Sequence, residues 1–392
     1  MYKKILIVFI LIFLTTGCWN YNELNSLAIT TAMAIDKKDD KYEVSILIAN
    51  SRNKQSSSEN GESQTVVYSA TGDTIADAMK NIDLENPRQT YIGHLADLII
   101  NEEVAKEGLI DVLDLLLRNS ESTKRFFVAI ARENKAKDIL KIVSPLESFP
   151  AQTISTNIKT SSESQAVSVS VIYSDFIKTM LAKGIEPVLP NIKVEGNAEK
   201  GAKNSNLEQT DPMGQLKLDT VAIFNKDKLI GYATKDESKG INLALNKIDA
   251  MIIKYKCKKN YLVAEISGVT SKIDVKINNN IEPSIKIKAS GDIIENNCDI
   301  DLTNPDVIND VEKDVEKQIK NLVTKGIKYI QSKKVDSIGI GNLVYRQNPN
   351  YYKKIDDWNN YFSNLDVNIK VDANIKSKGS IKKSLKEELD GN

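Results

Sequence analysis

Side chains able to do chemistry are few. The sequence holds one imidazole, His94, in the run Tyr91-Ile92-Gly93-His94, and three cysteines, Cys18, Cys257 and Cys298. A serine hydrolase needs a nucleophile, a base and an orienting acid. His94 is the sole candidate base, and no Gly-x-Ser-x-Gly turn presents a nucleophile. At the entry to a strand it reads as a hydrogen-bonded structural residue. A metal site would need His94 plus a tight cluster of carboxylates, and none presents itself. Cysteines this far apart exclude Cys-x-x-Cys redox chemistry. Gly339-Ile340-Gly341 lacks the strand–turn–helix context of a phosphate loop, so it reads as a turn in which glycine supplies positive φ. Trp358, Tyr361 and Phe362 read as core packing against the last strand rather than as a contact surface. Asp356-Asp357 is ordinary for a surface helix. No catalytic residue, cofactor or metal is expected, and the chain reads as a non-enzyme.

Composition agrees with that reading. At about 150 residues per domain, 392 residues make two or three domains. The 53 basic and 53 acidic residues balance, so no global basic field exists to hold nucleic acid, which is not expected as a partner. Hydrophobic residues at 41% and charged residues at 27% are ordinary for a globular protein and argue against wholesale disorder.

The N-terminus gives the location. Lys3 and Lys4 precede an unbroken apolar run from Ile5 to Leu14. A helix of that length covers roughly 15 Å, about half the hydrocarbon core, so a cleaved export signal (residues 1–17) fits better than a permanent span. Leu14-Thr15-Thr16-Gly17-Cys18 resembles the lipobox of bacterial lipoproteins. That resemblance implies a mature chain starting at Cys18, with its thiol carrying diacylglycerol and palmitate-type acyl chains. Two chains anchor stably where one does so only marginally. The expectation is a folded body lipid-anchored on the extracytoplasmic face of a cell membrane. There Cys257 and Cys298 could pair, but a chain this long needs no staple, and they are read as unpaired thiols.

The rest of the sequence reads as mixed α+β. Tyr42 to Ala49 and Thr65 to Ala70 alternate as strands around the polar loop Ser51 to Ser63. Helices follow at Thr74 to Leu84, with Asp73 as N-cap, at Glu102 to Arg118 and at Ala136 to Ile142, with strands at Leu95 to Ile100 and Phe126 to Ala131. This alternation makes the N-terminal region α/β in type, with helices packed on a sheet. Ser144 to Ser170 reads as a meandering connection, followed by a helix from Tyr173 that stops at Gly184. Domains are expected at 18–195, as one unit or two subdomains, and at 213–381, with a linker at 196–212 and a charged tail at 382–392. The second half reads as an antiparallel sheet packed against one long helix, Pro305 to Gln331, whose Glu312, Lys313, Glu316, Lys317 and Lys320 form a solvated face.

Several stretches together resemble the Ger(x)C family, the lipoprotein C subunits of nutrient germinant receptors in endospore-forming bacteria. They are Gly17-Cys18-Trp19-Asn20 with Glu23-Leu24 and Ala28 to Asp36; Gly93-His94-Leu95 through Glu103 to Arg118; and Asp336 to Gly341 with Tyr352 to Ile355, Trp358, Tyr361-Phe362 and the strand from Leu365. The resemblance covers nearly the whole chain after residue 17. It departs at Tyr21-Asn22, where the family commonly has an arginine-rich dipeptide, and at Ala34, where glycine is frequent. It implies a non-catalytic docking and assembly component. Its partners would be the multi-spanning A and transporter-like B subunits at the spore inner membrane. A lipid-anchored solute-binding protein delivering a small nutrient to a transporter is the alternative, and the unlike texture of the two halves counts against it.

Overall fold

The computed structural model describes residues 23, 26–49, 64–147, 149–298, 300–302 and 304–377. The export signal, Cys18, the loop 51–63 and the tail from 382 lie outside the described residues. The strands are β1 (Leu27–Lys38), β2 (Lys41–Ala49), β3 (Thr65–Gly72), β4 (Gln89–Tyr91), β5 (Asp97–Asn101), β6 (Phe127–Ala131), β7 (Val188–Gly196), β8 (Gly214–Asn225), β9 (Lys228–Tyr232), β10 (Met251–Cys257), β11 (Asn260–Ile277), β12 (Ile281–Asn296) and β13 (Asn368–Ser377). The helices are α1 (Ile75–Glu85), α2 (Glu102–Glu107), α3 (Ile110–Arg118), α4 (Ala136–Lys141), α5 (Pro150–Gln165), α6 (Tyr173–Leu181), α7 (Ala198–Gly201), α8 (Lys235–Ala244), α9 (Pro305–Ser332), α10 (Ile340–Gln347), α11 (Pro349–Tyr352) and α12 (Trp358–Ser363).

The large sheet runs β3-β2-β1-β5-β6-β7-β8-β9, with β4 beside the start of β1. Neighbours from β1 through β5 and β6 to β7 are parallel, and antiparallel pairs flank them on both sides. Alternation along the strands feeds two cores. Met33, Ile35, Leu98, Ile100, Val128 and Ile130 face one, while Ala32, Ala34, Ile99, Ala129 and Ala131 face the other. Both faces are therefore covered, as a sheet with a parallel centre requires. The expected hairpin of Tyr42–Ala49 with Thr65–Ala70 is present as β2–β3.

Several expectations are corrected. The N-cap of α1 is Thr74, not Asp73: its hydroxyl accepts from the Asp77 amide at 3.1 Å. The helix expected over 102–118 breaks at Gly108, whose φ of 134° no helix allows. The next amide, Leu109, donates instead to the Asp227 carbonyl at 3.1 Å. Within 144–170, helix α5 replaces the meander. Its Ser/Thr-rich sequence forms helices weakly, but Ala151, Thr153, Ile154, Ile158 and Ser162 bury one face and Pro150 sits in the first turn. The segment expected as a linker, 196–212, connects two neighbouring strands of one sheet. It contains α7, and β8 then pairs back onto β7, because Leu189 and Val221 to Phe224 share the buried core of the large sheet.

The second sheet runs β10-β11-β12-β13. Its first two pairs are antiparallel as expected, but β13 is parallel to β12, because the long α9 carries the chain back across the sheet before β13 begins. Helix α9 buries Val311, Val315, Ile319, Val323, Ile327 and Ile330. The face expected to be solvated is partly used: Glu316 accepts from the Ala373 amide at 3.1 Å, and Glu312 from the Ile375 amide at 2.9 Å. These carboxylates close hydrogen-bonding positions of the edge strand β13. Helices α8 and α9 cross where both backbones are bare. A Cβ on Gly240 would lie 2.0 Å from the Leu322 carbonyl oxygen, and one on Gly326 would lie 2.7 Å from the Ile241 nitrogen.

Candidate functional site

The candidates from the sequence do not converge. His94 is exposed in the turn before β5, with its ring 6.0 Å from that of Tyr91 in an edge-on contact. Among the described residues, no group of three His, Cys, Asp or Glu side chains is placed to hold a metal. Cys257 and Cys298 are not free thiols: they form a disulfide with Cα atoms 5.9 Å apart. Chain folding brings together the end of β10 and the residue just after β12, a proximity that their separation of 41 residues concealed.

Asp336 makes the most ordered polar constellation. Its carboxylate accepts from the amides of Gly339 (2.8 Å), Ile340 (3.2 Å) and Gly341 (2.7 Å) and from the Trp358 indole (3.0 Å). Burial pushes its pKa up to about 6, against the pull of those four donors, so it is ionised at neutral pH. Gly339, with φ of 80°, makes the turn possible, and Trp358 packs so closely on Gly341 that a Cβ there would lie 2.3 Å from the ring. Trp358 and Phe362 are buried, in keeping with a core role for the aromatic group.

This turn also joins the two halves. The Glu186 amide donates to the Asp336 carbonyl at 2.9 Å, and the Asn342 amide donates to the Gly184 carbonyl at 2.7 Å. The Glu186 carboxylate accepts from the Lys226 amide at 2.6 Å and from the Asn359 side chain at 3.2 Å. Helix α6 ends at Leu181, before Gly184. Gly184 instead adopts φ of 70° where a Cβ would lie 2.4 Å from the Gly341 carbonyl carbon.

Two buried carboxylates flank the parallel strands. Asp36 accepts from the Ala136 and Lys137 amides at 2.7 and 2.8 Å, capping the start of α4; burial raises its pKa against those bonds. Asp97 is fully buried at the start of β5. Burial pushes its pKa up to about 8, with the Ser155 hydroxyl (2.8 Å) and the Lys159 charge pulling the other way. Its second oxygen has no hydrogen-bond partner among the described residues.

A cleft of about 530 Å³ opens beyond the ends of β5 and β6, lined by Glu102, Lys106, Arg132, Glu133 and Tyr232. Its charges neutralise one another. Lys106 pairs with Glu102 at 2.9 Å, Lys193 with Glu133 at 3.2 Å, and the Arg132 guanidinium lies 4.4 Å over the Tyr232 ring. Burial raises the Glu102 pKa, and Lys106 with the Glu133 amide outweighs it, leaving that carboxyl below its usual range. Burial, with Glu102 alongside, raises the Tyr232 hydroxyl. The arrangement suits rigid packing and supplies no activated nucleophile.

With this geometry in place, comparison with known proteins gives a consistent result. Residues 20–194 match the family described as spore germination protein N-terminal domain, and residues 219–379 that described as spore germination B3/GerAC like, C-terminal. The chain belongs to this Ger(x)C family of spore germination proteins. It is 30% identical over 376 residues to spore germination protein KC of Bacillus subtilis (strain 168), covering 93% of this chain and 92% of the relative. It is 22% identical over 392 residues to spore germination protein B3 of the same organism, covering 97% and 99%. The crystal structure of the GerBC protein shares the fold with a TM-score of 0.52 at 18% identity, covering 88% of this chain and 97% of that one.

Proposed function

We propose that the chain is the lipid-anchored C subunit of a nutrient germinant receptor. In this reading it is a non-catalytic docking component, held through Cys18 on the outer face of the spore inner membrane beside the A and B subunits. The observation that carries this reading is the match of both halves to the spore germination family behind a leader ending in Gly17-Cys18. The Cys257–Cys298 bridge supports placement outside the reducing cytoplasm. No helix among the described residues is long and apolar enough to cross a membrane. Confinement to a surface raises the effective concentration against membrane partners. Deleting the gene should give spores that form normally, respond poorly to a nutrient and still germinate with a non-nutrient trigger. Cys18→Ala should yield protein without the acyl mass that native protein carries at Cys18. An unchanged nutrient response, with no redundant receptor present, refutes the role; a bare Cys18 thiol in native protein refutes the anchor.

A further inference from the structure

The free end of the β10–β11 hairpin combines cations with exposed apolar side chains. Met251, Ile253, Leu262 and Ala264 turn into the core, and Ile252, Lys254, Lys256 and Tyr261 alternate with them on the outer side. Ile252, Tyr261 and Ile294 are 44%, 45% and 47% exposed. Ile294 is the extra residue of a bulge, where Val263 pairs with Glu295 and Ala264 with Ile293. Lys254 and Lys256 take the exposed positions of β10, and Lys258 and Lys259 make the turn. None of these four lysines forms an ion pair among the described residues. The nearby carboxylates are Glu265 and Glu295, and Glu295 is engaged by the Asn297 side chain. The Cys257–Cys298 bridge pins this corner, and the Gln318 side chain donates to the Lys254 carbonyl at 2.9 Å, so the cations are presented on a rigid element.

The base of the corner is fixed to the body. Strand β1 runs parallel to β5 and β6, with Ala32 beside Asp97 and Asp97 beside Phe127, and its first residues extend past their starts to pair with β4. Helix α5 passes the starts of β5 and β6. Ser155 meets Asp97, Lys159 lies over the Phe127 ring, and the Glu163 carbonyl accepts from Ala250, the residue before β10, at 2.8 Å. The base of the hairpin therefore sits beside the helix that passes the starts of the parallel strands.

We propose that this corner is a second membrane contact, in which Lys254, Lys256, Lys258 and Lys259 meet an anionic phospholipid surface while Tyr261, Ile252 and Ile294 settle at the headgroup level. Tyrosine and snorkelling lysine are suited to that layer, and exposed isoleucine gains from leaving water there. The proposal rests on the Cys18 tether for its biological setting, but the corner's lipid affinity does not need the tether. With both contacts in place, the body is held in one orientation to the bilayer.

The test uses the chain from residue 18 onward carrying Cys18→Ser, so that no acyl chain contributes. It should float with vesicles of phosphatidylcholine plus phosphatidylglycerol, and lose flotation on phosphatidylcholine alone or at high salt. Each lysine near an anionic surface is worth roughly a five-fold change in partition. The K254Q/K256Q/K258Q/K259Q variant should therefore lower the partition coefficient on the order of a hundred-fold or more. I252S/Y261S should lower it while keeping the salt dependence. All six positions are exposed, and an unchanged melting curve certifies folding. Equal flotation of the four-lysine variant and its parent overturns the proposal, as does a parent that does not float. A parent captured only by neutral-lipid vesicles bearing the A or B subunit would assign the corner to an acidic protein surface and also overturn it. The tether is read separately, by the mass of Cys18 in native protein, and neither flotation result bears on it.

Discussion

Replacing Asp97 by Asn should stabilise the protein at neutral pH and lose that advantage in acid. The folded carboxyl has a pKa pushed up to about 8 from an ordinary 3.8. Between those values the folded state holds a proton that the unfolded chain has released. Unfolding then becomes easier as pH rises, by up to about 1.4 kcal/mol per pH unit, with no further change below 3.8 or above 8. At pH 7 the accumulated cost is on the order of 4 kcal/mol. Asn has the same shape, cannot ionise and keeps an oxygen for the Ser155 hydroxyl. Its amide group would replace an oxygen that already lacks a partner, so the variant adds roughly 1–2 kcal/mol of its own unsatisfied cost and the net gain at pH 7 is about 2–3 kcal/mol. Urea midpoints measured for both proteins between about pH 5 and about pH 8.5 isolate the effect, because every other group titrates alike in each. The difference between the curves should widen steadily with pH. A constant difference would mean that Asp97 is ionised in the fold with Lys159 as its counter-ion, and the burial argument would fail.

Asp336→Asn should not give the same gain. Its carboxylate is surrounded by three amides and an indole, donors that cannot become acceptors. An Asn amide group would face at least one of them at a cost of about 2–4 kcal/mol, which offsets the roughly 3 kcal/mol that removing a carboxyl raised to about 6 would release at pH 7, so Tm should change little there; a gain like that of Asp97→Asn contradicts the geometry. Reducing the Cys257–Cys298 bridge, which closes a separation of 41 residues, should cost about 4 kcal/mol in urea unfolding with and without reductant. Gly240→Ala should force α8 from α9 and cost several kcal/mol, on the order of 3, whereas an unchanged melting curve would show that the crossing can open freely.

Alternation and helical spacing made β12 and α9 legible, because each buries one regular face. Helix α5 was hidden by its composition: Ser, Thr and Gln suit loops, and only burial against the sheet makes them helical. The polar stretch 196–212 lies between the two family-matched regions, and Asn206 fixes it to the body by bonding the carbonyls of Val143 and Gly214. The parallel entry of β13 and the disulfide are properties of chain paths in space, which local pattern does not carry. Of the polar constellation, only Asp336 had a local signature, an Asp placed to accept from the amides of a following Gly-x-Gly turn. Its partners Glu186 and Trp358 come from distant parts of the chain.

Glu186 offers a sharper test of how the halves are joined, because its two partners differ in what they can become. One carboxylate oxygen takes the Lys226 amide, a fixed donor; the other takes the Asn359 side chain, which can rotate to present its own oxygen. Glu186→Gln can therefore keep an oxygen on Lys226 and donate to a turned Asn359, costing under about 1 kcal/mol. Glu186→Ala removes both acceptors at a nearly buried position and should cost about 2–3 kcal/mol. Urea midpoints of the two variants give the ordering. A Gln variant as damaging as Ala would mean that the negative charge, rather than the hydrogen-bond directions, holds the C-terminal half against the β8–β9 turn. The clasp would then weaken with salt.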